Sequence, residues 1–269
     1  MNTRCAVLGK PINHSLSPVM HRAAYAYLGL DWTYGAIEVA ESELAAFMQG
    51  CDESWRGLSL TMPLKREVIG LADEVTKVAR ILNVANTVEF RDGQIIASNT
   101  DCAGALSAMT ERGVRKTKTA RILGGGATAA SIAYALASKG VEHLEFVVRD
   151  PSRAEEAVAV AREAGVDVVV REIDKPLIDV VDLLVSTVPE KVVRQNAHDL
   201  VDSAHAVFDV IYDPWPTPLA KAAKEAGVPL VSGLDLLAHQ ATFQVELMTG
   251  SPVDVDLLRD AALAELAAR

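Results

Sequence analysis

Short apolar runs alternate along this chain with stretches in which apolar residues recur at every third or fourth position. The runs predict β-strands, and the recurring pattern predicts helices with one buried face. This alternation is typical of an α/β protein with parallel strands. The predicted strands are Arg4–Leu8, Trp32–Val39, Arg56–Leu60, Thr119–Leu123, Leu144–Val148, Val168–Val170, Leu183–Ser186 and Ala206–Val210.

Helices are predicted between the strands, and one of them carries clear end signals. The stretch after Thr217 has a threonine at its N-cap, Pro218 at its first helical position and Gly227 beyond its end. The last helix, after Asp254, has an apolar stripe that must pack against another element. That stripe consists of Leu257, Ala261, Ala264 and Ala268. The other predicted helices are Pro18–Leu28, Ser42–Met48, Ala127–Ser138 and Arg153–Ala164.

One hairpin interrupts this alternation. Residues Thr87–Phe90 and Gln94–Ala97 predict its two strands, with Arg91-Asp92-Gly93 as the turn. No repeat and no Gly/Ser/Pro-rich linker marks a domain boundary, so the division into domains has to come from the motifs.

Composition excludes several classes of protein. The 26 Lys and Arg against 36 Asp and Glu give a net charge of −10, which disfavours nucleic acid and anionic membranes as partners. The cysteines, Cys5, Cys51 and Cys102, are widely spaced and form no ligand cluster with a histidine, so we expect reduced thiols and no metal site. No apolar run approaches the roughly 18 residues of a membrane span, and the start lacks a signal peptide's apolar region. A cytoplasmic protein is therefore expected.

A glycine-rich turn predicts a dinucleotide site. Gly124, Gly125, Gly126 and Ala127 begin the pattern G-x-G-x-x-A, directly after a predicted strand and before a predicted helix. Glycine permits the tight turn and a close approach of pyrophosphate, and the small Ala129 lets helix and strand pack closely. Free N–H groups at the helix N-terminus favour phosphate.

The end of the next strand indicates which dinucleotide binds. Enzymes that use NAD usually carry an acid there, and enzymes that use NADP place arginine near the 2′-phosphate. Here Val148 occupies the acid's position, and Arg149 and Arg153 flank it, which favours NADP. Asp150 is the competing signal, because its carboxylate could contact the ribose, so NAD stays possible.

Near the start of the chain, Ser17 is the predicted N-cap of a helix that has Pro18 at its first position, and Ser15 precedes this cap. Two hydroxyls beside a helix N-terminus can also hold a carboxylate. From this segment onward the chain resembles the shikimate dehydrogenase family. The segments that carry the resemblance follow in the family's order: Ser15–Pro18, Ser59–Lys65, Val84–Thr87, Asn99–Asp101, the glycine turn, Asp209 with Tyr212, Thr217-Pro218, and Gly233 followed by Gln240.

The resemblance implies roles for the matching residues. Ser15 and Ser17 would hold a substrate carboxylate with the help of Tyr212. The ring hydroxyls would be bound by Thr61, Asn86, Gln240 and Asp101. Lys65 and Asp101 would form the catalytic pair, and which of the two transfers the proton stays open. The cofactor would be bound by Gly124, Gly125, Gly126, Ala127, Arg149, Arg153 and Gly233.

The resemblance also implies the architecture and the reaction. Residues 1–101 with 241–269 would form an N-terminal α/β substrate domain, and residues 102–240 a Rossmann-type, doubly wound NADP domain. The expected activity is the NADP-dependent, reversible reduction of 3-dehydroshikimate to shikimate in aromatic amino-acid biosynthesis, by a monomer or homodimer that acts on small molecules. The alternatives are an NAD-preferring quinate/shikimate dehydrogenase and a non-catalytic dinucleotide or metabolite sensor.

Some residues depart from the family's pattern. Ser59 replaces the usual Asn, Asn83 stands where Gly is usual, and Cys102 follows Asp101 where Gly is usual. None of these departures affects Lys65 or Asp101.

Overall fold

The computed structural model describes residues 3–173 and 179–269, which form two compact units. The first unit contains the described residues up to Thr100 together with Leu237–Arg269, and the second contains Asp101–Leu236. The predicted assignment of substrate and cofactor to two domains with boundaries near these points stays a prediction.

The first unit is built on a six-stranded mixed sheet with the order β2-β1-β3-β5-β6-β4. β1 is parallel to β2 and β3, whereas β5 is antiparallel to both β3 and β6. The strands are β1 Thr3–Gly9, β2 Trp32–Glu38, β3 Trp55–Leu60, β4 Glu74–Val75, β5 Thr87–Arg91 and β6 Gln94–Ser98.

The second unit is built on a six-stranded sheet with the order β12-β11-β10-β7-β8-β9, in which every pairing is parallel. Its strands are β7 Thr119–Leu123, β8 His143–Val148, β9 Asp167–Glu172, β10 Leu183–Ser186, β11 Val207–Asp209 and β12 Leu230–Ser232. Numbered within the unit, this order is 3-2-1-4-5-6, the doubly wound arrangement of dinucleotide-binding domains. The prediction of an α/β fold with a doubly wound second half is confirmed.

The helices cover the sheets and connect their strands. They are α1 Ser17–Tyr27, α2 Leu44–Gln49, α3 Lys77–Leu82, α4 Asp101–Glu111, α5 Ala127–Ser138, α6 Glu155–Glu163, α7 Glu190–Val193, α8 Ala197–Asp202, α9 Pro218–Ala226, α10 Gly233–Thr249 and α11 Val255–Ala268. A short 3₁₀ turn, Pro151–Ala154, precedes α6.

Each unit has its own apolar core, as parallel strands covered by helices require. In the first unit the buried cluster includes Leu8, Leu58, Leu60, Leu64 and Val88. In the second unit it includes Leu123, Val147, Leu184, Val207 and Leu219.

One local prediction holds in detail, and a second holds with a shorter turn. Thr217 caps α9, since its side chain accepts a hydrogen bond from the Ala220 N–H at 3.0 Å, and Gly227 ends the helix at a φ of 67°. The hairpin turn is shorter than predicted, because Arg91 still belongs to β5. Asp92 and Gly93 alone make the turn, with φ values of 54° and 75° that suit a two-residue hairpin loop.

The predicted face of the last helix is wrong by one position. In α11 the buried residues are Leu258 and Ala262, while Ala264 and Ala268 of the predicted stripe are exposed. The helix packs against α1. Alanines lie on several faces of α11, so its apolar pattern alone does not single out one stripe.

Asn83 stands where the resemblance leads one to expect glycine, and the backbone conformation at this position suits either residue. It ends α3 in the left-handed region, at a φ of 51°. Asparagine is one of the few residues besides glycine that adopt this conformation at low cost.

Candidate functional site

The glycine turn of the second unit has the geometry that a phosphate site needs. Gly124 has a φ of +106°, which side chains rarely tolerate. A Cβ at Gly125 would lie 2.6 Å from the main-chain oxygen of Arg153 and 2.7 Å from the Cα of Ala154. Gly126 differs from both, because it is exposed and a Cβ there would meet nothing within 4 Å. The turn is therefore packed on one side and open on the other.

The open side faces the start of a helix. Gly126 is the N-cap of α5, a helix of 12 residues, and no side chain caps it. Ala129, one turn later, is fully buried, which allows the helix to pack closely on its sheet. Unpaired N–H groups at such a helix start bind anions. Gly124, Gly125, Gly126 and Ala127 thus form the turn between β7 and α5, and their contact with a cofactor stays a prediction.

At the end of β8 the arginines and the competing acid have different surroundings. Val148 is buried, and the side chains of Arg149 and Arg153 are exposed. Asp150 caps the 3₁₀ turn, since its Oδ1 accepts hydrogen bonds from the N–H and the hydroxyl of Ser152 at 3.0 and 2.8 Å. These bonds hold the pKa of Asp150 below its ordinary value. Packing places the Arg153 backbone against the glycine turn, whereas Asp150 already has a structural role.

Ser15 and Ser17 lie at the beginning of α1, but the cap prediction needs correction. Ser17 is the first residue of the helix and is buried, and Leu16 precedes it as the N-cap residue. The hydroxyl of the half-buried Ser15 accepts the Ser17 N–H at 3.3 Å. Ser15 and Ser17 are therefore close in the chain and in space, and the Ser15 hydroxyl is the hydrogen-bond partner of the Ser17 N–H.

The loop after β3 carries Thr61 and Lys65, and it is fixed at both ends. The Thr61 N–H donates to the carbonyl of Leu8 at 2.9 Å, and the Lys65 carbonyl accepts from the Ala85 N–H at 2.8 Å. A Cβ at Gly9 would overlap the Thr61 side chain, so glycine is needed where this loop meets the end of β1. Both Thr61 and Lys65 are half-buried, which leaves part of each side chain accessible.

Asn86 and Gln240 are brought together, although they lie far apart in the chain. The Asn86 Nδ2 donates to the Gln240 Oε1 at 3.2 Å and to the Thr100 hydroxyl at 2.9 Å. The Thr100 N–H donates to the Asn86 Oδ1 at 2.8 Å. All three side chains are buried. Two of the predicted hydroxyl-binding residues thus share one polar cluster, and Thr100 orients both.

The sequence analysis missed the polar residues that extend this cluster inward. Gln244 lies one turn after Gln240 on α10 and contacts Thr87, Ser59 and His21. Ser59 in turn contacts Tyr34. Burial lowers the pKa of His21 to about 3, although the hydrogen bond from its ring to the Gln244 Oε1 opposes this shift, so the ring is neutral. The spacing of four residues between the two glutamines was the available signal, because such residues share a helix face.

Tyr212 lies in a loop that is closed by a buried hydrogen bond. The Thr217 hydroxyl donates to the Asp209 Oδ2 at 2.6 Å, across the segment that carries Tyr212. Burial raises the pKa of Asp209. Gly233 begins α10, and a Cβ there would overlap the carbonyl of Val210. Close packing therefore explains this glycine, and its predicted contact with a cofactor stays a prediction.

The predicted catalytic residues belong to different units. Lys65 lies in the first unit, and the buried Asp101 is the first residue of α4 in the second. A helix start favours a carboxylate, because the helix dipole is positive there. The pairing of Lys65 with Asp101 stays a prediction.

Other kinds of site have no support in the part of the chain that the structure describes. Across residues 3–173 and 179–269, no group of three His, Cys, Asp or Glu side chains is placed to hold a metal ion. Cys5, Cys51 and Cys102 form no disulfide with one another. None of the helices in those ranges combines the length and the apolar content that a membrane crossing requires.

Comparison with known proteins identifies the family. The model of the shikimate dehydrogenase substrate binding domain matches residues 7–88, and that of the shikimate 5'-dehydrogenase C-terminal domain matches residues 233–263. A relative from Methanopyrus kandleri, named shikimate dehydrogenase (NADP(+)), is 36% identical over 278 residues, which cover 97% of this chain and 94% of the relative. The chain belongs to the shikimate dehydrogenase family.

Solved structures of the family agree with the fold. The crystal structure of Mycobacterium tuberculosis shikimate dehydrogenase has a TM-score of 0.87 and 38% identity, covering 99% of this chain and 100% of that chain. The shikimate 5-dehydrogenase of Thermus thermophilus, solved in complex with NADP(H) and shikimate, has a TM-score of 0.83 and 31% identity, covering 97% of this chain and 99% of that chain. The expected family is thus confirmed along nearly the whole length.

Proposed function

We propose that this chain catalyses the NADP-dependent, reversible reduction of 3-dehydroshikimate to shikimate. The observation that carries the proposal is full-length similarity to enzymes named shikimate dehydrogenase (NADP(+)), at 36% identity across 97% of this chain for one of them. The reaction needs a bound dinucleotide, a binding site for a small polyhydroxy acid, and a group that handles the proton on the substrate oxygen. The chain has candidates for all three.

The residues of the second unit fit NADP. The exposed Gly126 leaves room for a pyrophosphate, and the uncapped start of α5 would face its charge. Arg149 and Arg153 would hold the 2′-phosphate, for which guanidinium is well suited. When bound, NADP(H) supplies or accepts the hydride.

The buried polar residues of the first unit suit a small polyhydroxy acid. Ser15 and Ser17 would bind the carboxylate with Tyr212, and Asn86 with Gln240 would bind ring hydroxyls. Because Asn86 and Gln240 are buried and orient each other, an analogue that lacks the matching hydroxyl would forfeit a hydrogen bond to amides that are already arranged to make it. This penalty is the physical basis for selecting shikimate over less hydroxylated rings.

The proposed catalytic pair handles charge and proton at the substrate oxygen. The Lys65 ammonium would stabilise the negative charge that develops there during ketone reduction. Asp101 would orient this ammonium and contact the substrate hydroxyl. Each residue is held by its own backbone: Lys65 through its carbonyl, bonded to the Ala85 N–H, and Asp101 by its position at the first turn of α4.

The test is a steady-state assay with shikimate and NADP on Lys65→Ala. We expect kcat to fall about 10²- to 10⁴-fold, with the Kd for NADPH nearly unchanged, because the lysine acts mainly in the transition state. Lys77→Ala, a change of the same kind at the exposed first residue of α3, is the control and should keep wild-type kinetics. Wild-type kcat in Lys65→Ala would refute the proposed role.

The alternatives differ in measurable ways. An NAD-preferring quinate/shikimate dehydrogenase rests on Asp150, but that carboxylate is bonded to Ser152. Values of kcat/KM for both cofactors with both acids separate the two enzymes. A non-catalytic sensor would bind NADPH and turn over no cyclic hydroxy acid.

We also propose that the enzyme works in the cytoplasm on small molecules alone, as a monomer or homodimer. Three cysteines that form no disulfide with one another suit a reducing compartment. A net charge of −10 disfavours nucleic acid as a partner. Size-exclusion chromatography with light scattering measures the oligomeric state directly.

A further inference from the structure

We propose that Gln244 is a positioning residue for substrate recognition, which fixes the orientation of the Asn86 amide without touching the substrate. The inference rests on the proposed function, in which Asn86 binds a ring hydroxyl. It is carried by the hydrogen bonds at both ends of the Gln244 side chain.

The Gln244 amide is buried and fully used. Gln244 lies within α10 and is only 1% exposed. Its Nε2 donates to the Asn86 carbonyl and to the Thr87 hydroxyl, each at 3.0 Å. Its Oε1 accepts from the Ser59 hydroxyl at 2.8 Å and lies 3.4 Å from the His21 Nε2. The two N–H groups of Nε2 thus each meet an acceptor. Oε1 in turn faces two donors, the Ser59 hydroxyl and the His21 ring nitrogen.

This pattern permits one orientation of Gln244. A flipped amide would turn its N–H groups toward Ser59 and His21, and its oxygen toward the Asn86 carbonyl. The Ser59 hydroxyl also accepts from the Tyr34 hydroxyl at 2.6 Å, so its own proton is directed at Gln244. Leaving buried donors and acceptors unpaired costs more than the bonds contribute, so the flip is disfavoured.

Thr87 transmits this orientation to Asn86. Because Thr87 accepts from Gln244, its own proton is available for the Asn86 Oδ1, 3.0 Å away. Gln244 therefore acts on Asn86 at two points: directly on the main-chain carbonyl, and through Thr87 on the side-chain oxygen. The Asn86 Nδ2 is then turned toward Thr100 and Gln240, the side on which the proposed substrate residues lie.

Ser59 completes the arrangement at the position where the family usually has asparagine. The shorter serine leaves the space in which its hydroxyl, Tyr34 and Gln244 meet. Gln244 therefore supplies the amide for this cluster from α10. The amide in this chain serves to hold neighbouring residues, since all four of its hydrogen-bonding positions are occupied.

The test is a double-mutant cycle between Gln244→Met and Asn86→Ala, with shikimate as the varied substrate. Gln244→Met keeps the length of the side chain and removes its polar atoms. We expect kcat/KM for shikimate to fall about ten- to a hundredfold, as misplacement of a binding group does, and KM for NADP to stay unchanged. In the Asn86→Ala background the same change should cost roughly threefold or less, because its effect passes through Asn86.

A second pair of variants covers the case in which Gln244→Met does not fold. Thr87→Val removes the relayed hydroxyl at nearly constant shape and should lower kcat/KM for shikimate, while Thr87→Ser should restore most of it. Thr249→Val is the matched control on the same helix as Gln244. Its hydroxyl bonds only main-chain atoms, at Val245 and Ser251, so it should keep wild-type kcat/KM.

The outcomes separate this inference from the proposed function. Additive losses in the cycle, or a lower melting temperature with unchanged kcat/KM in Gln244→Met or Thr87→Val, would overturn the positioning role alone. An Asn86→Ala enzyme as active as wild type would overturn the substrate role of Asn86 and with it this inference. Absence of shikimate turnover by the wild type would overturn the proposed function itself.

Discussion

We predict that the choice between NADP and NAD depends on two arginines, and their removal tests this directly. The change is Arg149→Ala with Arg153→Ala. Both side chains are exposed, and the Arg153 backbone packs against Gly125 of the glycine turn. We propose that both guanidinium groups contact the 2′-phosphate of NADP bound at this turn. NAD lacks that phosphate, so the loss should fall on NADP.

The size of the effect follows from the exposure of the arginines. A buried guanidinium–phosphate bond contributes more than a neutral hydrogen bond, but water screens an exposed one, which leaves about 1 to 1.5 kcal/mol for each arginine. Two such contacts amount to about 2 to 3 kcal/mol, which is about 30- to 150-fold in the ratio of kcat/KM for NADP to that for NAD. Packing holds the Arg153 backbone in place, which lowers the conformational entropy that is lost when the arginine binds the 2′-phosphate. We therefore expect a change of the kcat/KM ratio in the upper half of this range.

The assay measures kcat and KM for each cofactor at saturating shikimate. We expect KM for NADP to rise with little change in kcat, and the NAD values to stay close to wild type. Arg162→Ala is the control, because Arg162 is an exposed arginine on α6 whose guanidinium donates to the Val168 carbonyl of β9, away from the glycine turn. Equal losses with NADP and NAD would refute the reasoning, since the arginines would then not contact the 2′-phosphate.

Three further predictions follow from single contacts. Gly126→Ala should raise the Kd for NADPH at an unchanged melting temperature, whereas Gly125→Ala should also lower that temperature, because its Cβ would meet backbone atoms at 2.6 and 2.7 Å. Thr217→Val should cost about 2 to 4 kcal/mol in urea unfolding, since it removes a helix cap and the donor to Oδ2 of the buried Asp209 carboxylate, and Thr217→Ser should recover most of that loss. Burial opposes ionisation of Asp235, but two bonds from Arg112 outweigh it and hold the pKa below the ordinary 3.8. A lowered pKa stabilises the fold above the ordinary value and ceases to do so as pH falls through the folded value. Asp235→Asn should therefore lower the melting temperature at pH 5 to 8 and approach wild type below about pH 4; a constant difference across that range would contradict the assignment.

Much of the fold could be predicted because short-range rules determine it. Five strands of the second unit, β7 to β11, were predicted from short apolar runs, whereas the three-residue β12 was missed; α9 was predicted from its threonine cap and its terminal glycine. The alanine-rich α11 could not be oriented, because apolar residues occur on more than one of its faces and only its contact with α1 selects Leu258 and Ala262. Pattern determines an element's type, whereas tertiary packing determines which face is buried.

The site was predictable to a different extent in each unit. In the second unit the functional signal is local: a glycine turn and two arginines that follow one another along the chain. In the first unit, Asn86 is bonded to Gln240, 154 positions later in the chain, and to Gln244, 158 positions later. No local pattern joins residues so far apart. The resemblance supplied Asn86 and Gln240. Gln244 was missed because its role depends on buried contacts with Ser59 and Thr87, which only the fold creates.

These two kinds of recognition differ in how easily mutation should change them. In our proposal the first unit would select its ligand with buried amides and hydroxyls that are bonded to one another, so replacing any one of them would leave others unpaired at about 1 to 3 kcal/mol each. The second unit would select its cofactor with the exposed guanidinium groups of Arg149 and Arg153. Cofactor preference should thus shift with one or two surface substitutions at little cost in stability. A change of substrate class should require coordinated replacement of Asn86, Gln240 and the residues that hold them, because a partly satisfied polar cluster is less stable than either complete arrangement.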